Sequence, residues 1–497
     1  MPLHILVVNF FPAFSPPRSG GEMRLFHLYR ELAAEHRVSL LTSTDFDARS
    51  EEIAHAPGFN ELRFPKDRYW RAAYAALERA GVKGDLSGLA FALAVSEPSC
   101  PLRRKALALA RSADIVIHEF PYSEPIFRFE PPSIEVYNSH NCEIALLSSL
   151  VTGPGSSRCF RKLLRLERSL IGRAKRVFAT APEDGEIMRI LYGLERERLS
   201  LCPNGYSEAE LAPIRETRRK RPRRAGSRLR LLFLGSQHPP NIEAASYLLE
   251  LAKALPECDF LIAGSVAARI PPSKAPPNLA FLETFDAAGK RRLLEEADIF
   301  LNPVVEGSGT SLKAIEALAA GVPVVSTPEG ARGLGLEPER DALILPRSEF
   351  PAAIGSLARE PRRLSALAEA GAHFARERFA WPVIAQRLGQ DLAAVASGAP
   401  AMPAPKAEPA GNDRVAIAFN DFSAAAATSG GSVRIRALLG ALPFDLVLIA
   451  FAERCRVDLI APRLLQVSLA KSEAQIGFED AVNRNEAVSV NDIVASL

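Results

Sequence analysis

Cysteine is scarce in this 497-residue chain, and its spacing shows no pairing pattern. The absence of any CxxC pair or dense cysteine framework argues against a disulfide scaffold and suits a reducing compartment such as the cytosol. The net charge is only +3, so the charge total does not indicate a nucleic-acid-binding protein. Uncharged apolar runs of about 18 residues are also missing, so no transmembrane helix is expected. The cysteines are Cys100, Cys142, Cys159, Cys202, Cys258 and Cys455.

Several catalytic signatures are missing as well. No cluster of His, Cys and Asp has metal-ligand spacing, and we expect neither a metal ion nor a resident cofactor. The G-x-S-x-G turn of serine hydrolases is absent, as is the GxGxxG dinucleotide fingerprint after the first apolar run. The apolar start MPLHILVVNFFPAF lacks a basic segment and an A-x-A cleavage site. It is therefore predicted to be a first β-strand and not a signal peptide.

Apolar runs alternate with amphipathic runs from the beginning of the chain. HILVVN is followed by a Pro/Gly/Ser loop, an amphipathic stretch and the apolar run RVSLLTS. This order of strand, glycine loop, helix and strand predicts a βαβ unit and a parallel sheet. Further apolar runs lie at 113–119, 133–140 and 176–181. The pattern predicts a Rossmann-like N-terminal domain over residues 1–213.

A second group of α/β units follows a basic stretch. Residues 229–378 hold nearly all-apolar runs between helical patterns, which predicts a second doubly wound, Rossmann-like domain. The basic, proline-containing residues 214–228 are predicted to be an interdomain linker, and a patch that contacts an anionic membrane surface is the alternative. Residues 379–396 are predicted to form a C-terminal crossover helix. The Pro- and Ala-rich residues 397–413 are predicted to be a flexible linker.

The last part of the chain partly repeats the sequence pattern of its beginning. The Ser-Gly-Gly of residues 19–21 returns at 429–431, and Arg24 returns as Arg434, at a constant offset of 410 residues. Apolar runs flank the motif in both places. The repetition predicts that residues 414–497 form a partial second copy of the N-terminal α/β domain, although two βαβ openings can also resemble each other by chance.

Two tandem domains of this kind are expected to face a common cleft, with ligands beyond the carboxyl ends of the strands. Gly20 and Gly21 follow the first strand, and paired glycines let the backbone approach a phosphate or a sugar closely. His140, in NSHNCE, also follows a strand and can donate to a phosphate oxygen or a sugar hydroxyl. It can equally be a core or capping residue, and His118 is its rival.

Two further loops belong to the second domain. Gly235 and Ser236 can offer N–H and hydroxyl donors to a diphosphate, and Asn241 is either a further contact or a helix N-cap. The stretch EGSGTSLKAIEALAAGVPVVST turns from a glycine loop into a helix whose N–H groups favour an anion. Lys313 can reach a diphosphate, and Glu316, on the same helix face, can accept two ribose hydroxyls. A plain Lys313–Glu316 surface pair is the structural alternative.

The stretch GSGTSLKAIEALAAGVPVVST resembles the G-x-G-T-x-x-K-x-x-E-A-x-A-x-G-x-P-V-V motif of retaining GT-B glycosyltransferases of the large family four, within the glycosyl transferases group 1. The SGG, SHNCE, PNG and late FAW segments agree with the same family. The resemblance covers residues 3–396. It implies two Rossmann-like domains, the C-terminal one binding a nucleotide-diphosphate sugar and the N-terminal one binding an acceptor.

The resemblance also implies roles for individual residues. Glu316 would hold the nucleotide ribose, and Lys313 would help to stabilise the leaving diphosphate. His140 matches the strand-end histidine that lies near the transferred sugar in relatives. The remaining donor-binding residues would line the diphosphate and sugar: Gly20, Gly21, Gly235, Ser236, Gly307, Gly309, Thr310 and Ser311.

The chain departs from the family pattern at two places. The common form has its first glutamate eight positions before the second, where this sequence has Ser308, while Glu306 lies ten positions before Glu316. Either Glu306 serves as a catalytic residue after a local shift, or sugar recognition differs. The usual Arg and Lys after the first strand of the second domain are replaced by GSQHPPN. Lys313 is the first candidate to supply the missing charge, and Arg332 is a weaker one.

The expected function is a retaining glycosyltransferase that moves a sugar from a nucleotide-diphosphate sugar to a glycan or lipid-linked acceptor. The resemblance implies bacterial cell-surface polysaccharide synthesis, in the cytoplasm or at the inner face of the membrane. A sugar-nucleotide epimerase or hydrolase of the same fold is the alternative. Residues 414–497 lack the glycine loop, the lysine and the glutamate, so a non-catalytic module is a further hypothesis for that segment.

Overall fold

A computed structural model describes residues 2–15, 17, 19–220, 228–305, 310–398, 415–420, 423–425, 430–452 and 454–470. The chain divides into two compact units. The first unit comprises Met1–Pro12, Ala33–Leu201 and Asp391–Leu497, and the second comprises Ala13–Leu32 and Cys202–Gln390. The boundary near residue 201 lies close to the predicted one. The helix after the first strand, however, groups with the second unit and not with the predicted N-terminal domain.

The strands of the first unit come from the apolar runs of the sequence. They are β1 (His4–Val8), β2 (Arg37–Thr44), β3 (Glu51–Ala56), β4 (Phe59–Pro65), β5 (Lys83–Gly84), β6 (Ile115–His118), β7 (Glu135–Asn138), β8 (Val151–Thr152), β9 (Arg176–Ala179) and β10 (Leu199–Leu201). The main sheet has the order β10-β9-β7-β6-β1-β2-β4-β3. Its pairs are parallel except for the β3–β4 hairpin, while β5 and β8 pair separately.

Helices cover this sheet and bury its apolar strands. The first helix of the chain, α1 (Gly20–Leu32), belongs to the second unit. The helices of the first unit are α2 (Arg68–Arg79), α3 (Ser87–Ala94), α4 (Pro101–Ala110), α5 (Glu124–Phe127), α6 (Glu143–Leu150), α7 (Ser156–Arg173) and α8 (Pro182–Tyr192). Short 3-10 turns lie at Pro121–Ser123 and Arg196–Arg198. The four residues of β6 are fully buried, as expected for a central strand covered on both faces.

The second unit contains a parallel sheet of its own. Its strands are β11 (Arg230–Leu234), β12 (Asp259–Ala263), β13 (Leu279–Leu282), β14 (Ile299–Asn302), β15 (Val324–Ser326) and β16 (Leu343–Ile344), in the order β13-β12-β11-β14-β15-β16. Its helices, besides α1, are α9 (Glu208–Lys220), α10 (Pro239–Ala254), α11 (Ala287–Glu296), α12 (Leu312–Ala319), α13 (Phe350–Arg359) and α14 (Pro361–Phe379). Helix α15 (Trp381–Ser397) begins in this unit, and its residues from Asp391 onward belong to the first unit. Short 3-10 turns lie at Ser265–Arg269, Pro272–Lys274 and Arg347–Glu349.

Helix α9 corrects the prediction of a linker at 214–228. Residues 214–220 are helical, and residues 221–227 lie outside the described part of the chain. The guanidinium of Arg215 donates to the carbonyl of Ala319 at the end of α12, and that of Arg218 donates to Leu294 at the end of α11. Arginines that satisfy the last carbonyls of neighbouring helices stabilise those helix ends. Two of the basic residues of the predicted linker or membrane patch are thus committed to helix capping.

The C-terminal segment has the strand topology that the predicted repeat requires. The C-terminal segment contains β17 (Val415–Asn420), α16 (Gly430–Gly440), β18 (Asp445–Ala452), β19 (Arg456–Ala461) and β20 (Leu464–Ala470). Its sheet order β17-β18-β20-β19 has the same directions as β1-β2-β4-β3, with only the third strand in chain order antiparallel. The repeat therefore extends beyond the short motif that revealed it.

This repeat shares a hydrophobic core with the N-terminal part of the first unit. The prediction of a separate domain at 414–497 did not include such a shared core. Val457 and Leu465 are buried in the same apolar cluster as Leu163 of α7. The guanidinium of Arg189 in α8 also lies 2.7 Å from the carboxylate of Asp445. Among the described residues, none of the helices combines the length and the apolar composition that a membrane span requires.

Candidate functional site

Gly20 begins α1 in the second unit and lies against the start of α12. A Cβ atom on Gly20 would lie 2.8 Å from the terminal Cδ1 of Leu312, closer than real carbon contacts. Ser19 caps the helix, since its carbonyl accepts from the N–H of Met23 and its hydroxyl accepts from that of Glu22. The structure therefore places the Gly20–Gly21 pair beside the helix that follows the predicted diphosphate loop.

Arg24, one turn into α1, fixes this arrangement from a fully buried position. Its guanidinium donates to the carbonyls of Cys202 and Pro203, at 2.8 and 3.1 Å, and lies 3.4 Å from the side-chain oxygen of Asn204. The amide of Asn204 in turn donates to the hydroxyl of Thr310 at 3.3 Å. Arg24 thus connects α1 to a predicted donor-binding hydroxyl through a residue of the PNG segment. The recurrence of this arginine in the repeat was the only sequence signal for its importance.

Lys313 occupies the first turn of α12, and its ammonium is directed into the unit. Its Nζ donates to the side-chain oxygen of Asn241 at 2.7 Å and lies 4.5 Å from the ring centroid of Phe233. Burial lowers the pKa of Lys313 to about 7, because removing an ammonium from water disfavours its charged form. A phosphate group nearby would favour the charged form again. The side chain can therefore respond to an anionic ligand.

Asn241 is not the N-cap of α10, which was one of its two predicted roles. The helix begins at Pro239, and Asn241 lies in its first turn. Its amide donates to the carbonyl and hydroxyl oxygens of Ser236, at 3.2 and 3.3 Å. Asn241 therefore connects the loop after β11 to Lys313, and this bridging role was not apparent from the sequence.

Gly235 was predicted to offer its N–H group to a diphosphate, and the structure corrects this. That N–H donates to the carbonyl of Ala263 at 2.9 Å, so it is already used within the fold. A Cβ at Gly235 would meet Val266 at 3.0 Å and Phe233 at 3.1 Å. Gly235 therefore permits close packing of two strand ends. Ser236, which follows it, is exposed at the surface of the loop.

Glu316 lies on α12, and only 8% of its surface is exposed. Its carboxylate pairs with the ammonium of Lys290 in α11 at 2.6 Å. The expected alternative, a surface pair between Lys313 and Glu316, does not describe these contacts, because each side chain has a different partner. Lys290 lies in a different helix 26 residues earlier, so spacing alone gave no reason to pair it with Glu316.

A buried polar group lies at the carboxyl end of β14. The amide of Asn302 donates to the carbonyl of Gly330 at 2.7 Å and lies 3.4 Å from the hydroxyl of Ser311, the N-cap residue of α12. The side-chain oxygen of Asn302 is buried and has no hydrogen-bond partner among the described residues. A Cβ at Gly330 would lie 2.6 Å from the backbone oxygen of Asn302. The sequence analysis did not identify Asn302.

The central part of the predicted diphosphate loop lies outside the described residues. This applies to Glu306, Gly307, Ser308 and Gly309. The choice between Glu306 and Ser308 as the first position of the motif therefore stays a sequence-based hypothesis. Thr310 and Ser311, which follow directly, belong to the described part.

His140 lies in the first unit, just beyond β7, and is nearly buried. Its Nε2 atom lies 2.7 Å from a carboxylate oxygen of Glu119, and its ring stacks on Phe120 with centroids 4.3 Å apart. The amide of Asn138 donates to the other oxygen of Glu119 at 2.8 Å. Glu119 and Phe120 thus fix the orientation of the imidazole. Both follow β6, and the sequence analysis did not single them out.

The rival histidine, His118, belongs to a structural network. It is fully buried, with Nδ1 2.7 Å from the hydroxyl of Ser123 and Nε2 3.3 Å from the carboxylate of Glu135. Burial alone would raise the pKa of Glu135, but hydrogen bonds from His118 and Arg173 outweigh it and lower the pKa to about 2. These contacts identify His118 as part of the core of the first unit.

The SHNCE segment contributes a second buried acid. Glu143 begins α6, accepts from the hydroxyl of Tyr122 at 3.0 Å, and has a pKa raised to about 8 by burial and by the nearby charge of Glu167. Glu167 in turn accepts from the N–H groups of Glu143 and Ile144. It therefore caps the helix that follows the strand-end histidine.

Within the described ranges, no three His, Cys, Asp or Glu side chains are grouped in a way that could hold a metal ion.

Comparisons with known proteins match one part of the sequence and most of the structure. Residues 228–360 match the family model described as glycosyl transferases group 1. No curated protein matches the sequence.

Solved structures resemble most of the chain. Sucrose-phosphate synthase from Thermosynechococcus elongatus is 17% identical, with a TM-score of 0.59 over 80% of this chain and 100% of that one. HepE of Anabaena in complex with UDP and glucose is 15% identical, with a TM-score of 0.53 over 79% and 99%. The E. coli trehalose-6-phosphate protein bound with UDP-2-fluoro glucose is 13% identical, with a TM-score of 0.56 over 80% and 100%. These likenesses confirm the predicted fold class.

Proposed function

We propose that this glycosyltransferase, which has a group 1 domain in residues 228–360, transfers a sugar from a nucleotide-diphosphate sugar with retention of configuration. The observation that carries the proposal is the group of polar residues at the start of α12. Thr310, Ser311 and Lys313 lie there in sequence, and the buried side-chain oxygen of Asn302, which has no hydrogen-bond partner among the described residues, belongs to a side chain that contacts Ser311. The similar structures of Anabaena HepE and the E. coli protein hold UDP or a UDP-sugar, which supports a donor of this class.

The diphosphate would lie at the amino-terminal end of α12. The first N–H groups of a helix have no acceptor within the helix, and the helix dipole favours negative charge at that end. The two hydroxyls of Thr310 and Ser311 add donors, and the ammonium of Lys313 adds a charge. Oriented donors of this kind stabilise the charge that develops on a leaving diphosphate. The proposed reaction therefore uses neither a metal ion nor a resident cofactor.

Glu316 would accept the two hydroxyls of the nucleotide ribose. A carboxylate has enough lone pairs to accept two hydroxyl hydrogens and one ammonium hydrogen together. The ammonium of Lys290 lies 2.6 Å from one carboxylate oxygen, which orients the group. Lys290 is therefore proposed as a positioning residue for ribose binding.

The acceptor hydroxyl is proposed to attack on the face from which the diphosphate leaves, which accounts for retention. His140, held by Glu119, is proposed to contact the transferred sugar, as the family resemblance implies. The proposed acceptor is a glycan or a lipid-linked glycan, and the proposed setting is bacterial cell-surface polysaccharide synthesis on the cytoplasmic side of the membrane. The resemblance alone supports acceptor and setting.

Donor binding by two glutamate variants tests the proposal. Titration calorimetry with UDP-glucose and other nucleotide sugars on the full chain is expected to give binding that Glu316→Ala removes. Glu257→Ala, which changes an exposed glutamate of the same unit, should bind like the parent. Unchanged affinity in Glu316→Ala would refute the assigned role. Turnover-level release of nucleotide without an acceptor would instead favour a hydrolase.

A further inference from the structure

A basic pocket lies in the first unit, formed by residues that the proposed reaction does not use. Its volume is about 500 Å³. Cationic side chains of α7 line one side, and Arg128 and Pro125 of the α5 region line another. The residues assigned to donor binding all lie in the second unit, so this pocket needs an explanation of its own.

The cations on α7 form one stripe along the helix. Arg158, Arg161, Lys162 and Arg165 occupy positions i, i+3, i+4 and i+7, which share one face of an α-helix. At a rise of 1.5 Å per residue, the stripe is roughly 10 Å long. Leu166 and Pro125 add apolar surface to the same concavity. Several positive charges therefore converge on a space large enough for a small ligand.

Within the described part of the chain, the four cations on α7 have no counter-charge. Arg128 is paired with Glu124 at 2.6 Å. Across the described residues, by contrast, Arg158, Arg161, Lys162 and Arg165 make no ion pair and no side-chain hydrogen bond. The end of the same helix is different, because Arg173 is held by both Glu124 and Glu135.

The unpaired group carries a cost in the free protein. Like charges on one helix face repel one another. Burial, and to a smaller extent the charge of Arg128, lowers the pKa of Lys162. An ordinary solvated basic face disperses its charges on a convex surface, whereas these side chains line a concavity. A bound anion would weaken the repulsion and supply the counter-charge that these side chains lack among the described residues.

We propose that the α7 pocket binds a ligand that carries two or more phosphate groups. Guanidinium groups match the geometry of phosphate oxygens and bind them in pairs. A single carboxylate or phosphate would leave part of the stripe unneutralised, because the stripe is about 10 Å long. The ligand is either a free polyphosphorylated molecule or the phosphorylated headgroups of an anionic lipid surface, and both present the same chemistry to the pocket.

Two triple variants with equal charge loss test this proposal. Arg158→Gln, Arg161→Gln and Arg165→Gln together remove three pocket charges. The control combines Arg104→Gln, Lys105→Gln and Arg111→Gln, which removes three exposed charges at α4 outside the pocket. All of the altered side chains are exposed, so neither variant should unfold at a lower temperature than the parent, and the pocket variant should gain stability if the repulsion is relieved.

Inorganic tripolyphosphate is the soluble probe, titrated by calorimetry at low and physiological salt. Vesicles of phosphatidylcholine with phosphatidylglycerol, compared with phosphatidylcholine alone, are the membrane probe in a co-sedimentation assay. We expect at least one probe to bind, with affinity reduced about tenfold or more in the pocket variant and less than about twofold in the control. Tripolyphosphate binding identifies a free ligand, and vesicle binding alone identifies headgroups.

The proposal is overturned if neither probe binds the parent protein, or if the two triple variants lose affinity equally. Binding of UDP-glucose is measured on the same samples and should not change in either variant. A loss of donor binding only in Glu316→Ala, together with intact tripolyphosphate binding, would separate this site from the proposed donor site.

Discussion

The ammonium of Lys313 donates to the side-chain oxygen of Asn241 at 2.7 Å, and through this contact α12 is connected to the loop that follows β11. The same asparagine donates to Ser236 from its amide end. One side chain thus connects the loop after β11 to the first turn of α12. A buried polar contact of this kind costs most when only one partner is removed.

Asn241→Ala should therefore weaken both the fold and donor binding. The half-buried ammonium loses its acceptor, which should cost on the order of 1 kcal/mol. Urea unfolding should show a lower midpoint, and calorimetry should show weaker nucleotide-sugar binding. Gln237→Ala, in the same exposed loop, is the matched control and should leave both measurements unchanged. Equal behaviour of the two variants would contradict the bridging role.

Lys313 should make stability depend on pH. In the unfolded chain its pKa takes the ordinary value of 10.5, whereas in the folded protein it is about 7. Between these values the unfolded chain binds the additional proton, so the free energy of unfolding should rise with pH over this window. Lys313→Met should reduce that rise, as measured by urea unfolding at pH 7.5 and 9.5. An identical slope in both proteins would exclude this contribution.

Glu143 should act in the opposite direction. Its pKa is raised from 4.5 to about 8 in the folded protein, so between these values the folded state binds more protons than the unfolded state. Stability should then fall as pH rises through this window. Glu143→Gln keeps an oxygen for the Tyr122 hydroxyl and removes the ionisation, so it should lose less stability between pH 5 and 8 than the parent. A steeper loss in the variant would contradict the argument.

Two glycines of the second unit should respond differently to alanine. At Gly330 the added Cβ would lie 2.6 Å from the backbone oxygen of Asn302, whereas at Gly20 it would meet only the end of the Leu312 side chain. Gly330→Ala should cost about 2 kcal/mol or more in unfolding free energy, and Gly20→Ala about 1 kcal/mol or less.

Gly172→Ala is the control for the glycine pair. Nothing lies within 4 Å of the Cβ that it would gain in α7. Since alanine is the better helix former, this variant should be about 0.5–1 kcal/mol more stable than the parent. Equal losses at Gly20 and Gly330 in chemical unfolding would show that the Asn302 backbone can move aside.

Much of the architecture was predictable because buried parallel strands are apolar runs. The runs at 113–119 and 176–181 became β6 and β9, and the Ser-Gly-Gly echo led to a repeat with the same strand order. The β3–β4 hairpin was missed because charged and polar residues interrupt the apolar ones in its sequence, EEIAHAPGFNELRFP. The edge strand β3 depends on its neighbour β4 for pairing, which spacing in one segment does not reveal.

The site was predictable where one contiguous motif carries it. Lys313 and Glu316 lie on the same helix and could be proposed together, but their partners Asn241 and Lys290 come from other helices. Such contacts depend on the packing of helices that are distant in sequence. For the same reason, the sequence indicated the importance of Arg24 only through its recurrence as Arg434. Its carbonyl partners at Cys202 and Pro203 were not predictable.

The partial repeat also has an evolutionary consequence. Since Val457 and Leu465 share an apolar cluster with Leu163, a substitution at one of these core positions alters the packing of both the repeat and the N-terminal domain. Deleting the duplicated segment, or changing its core positions, should therefore lower the stability of the first unit. Selection on the packing of the N-terminal domain also acts on the repeat, so the two parts are expected to change together in evolution.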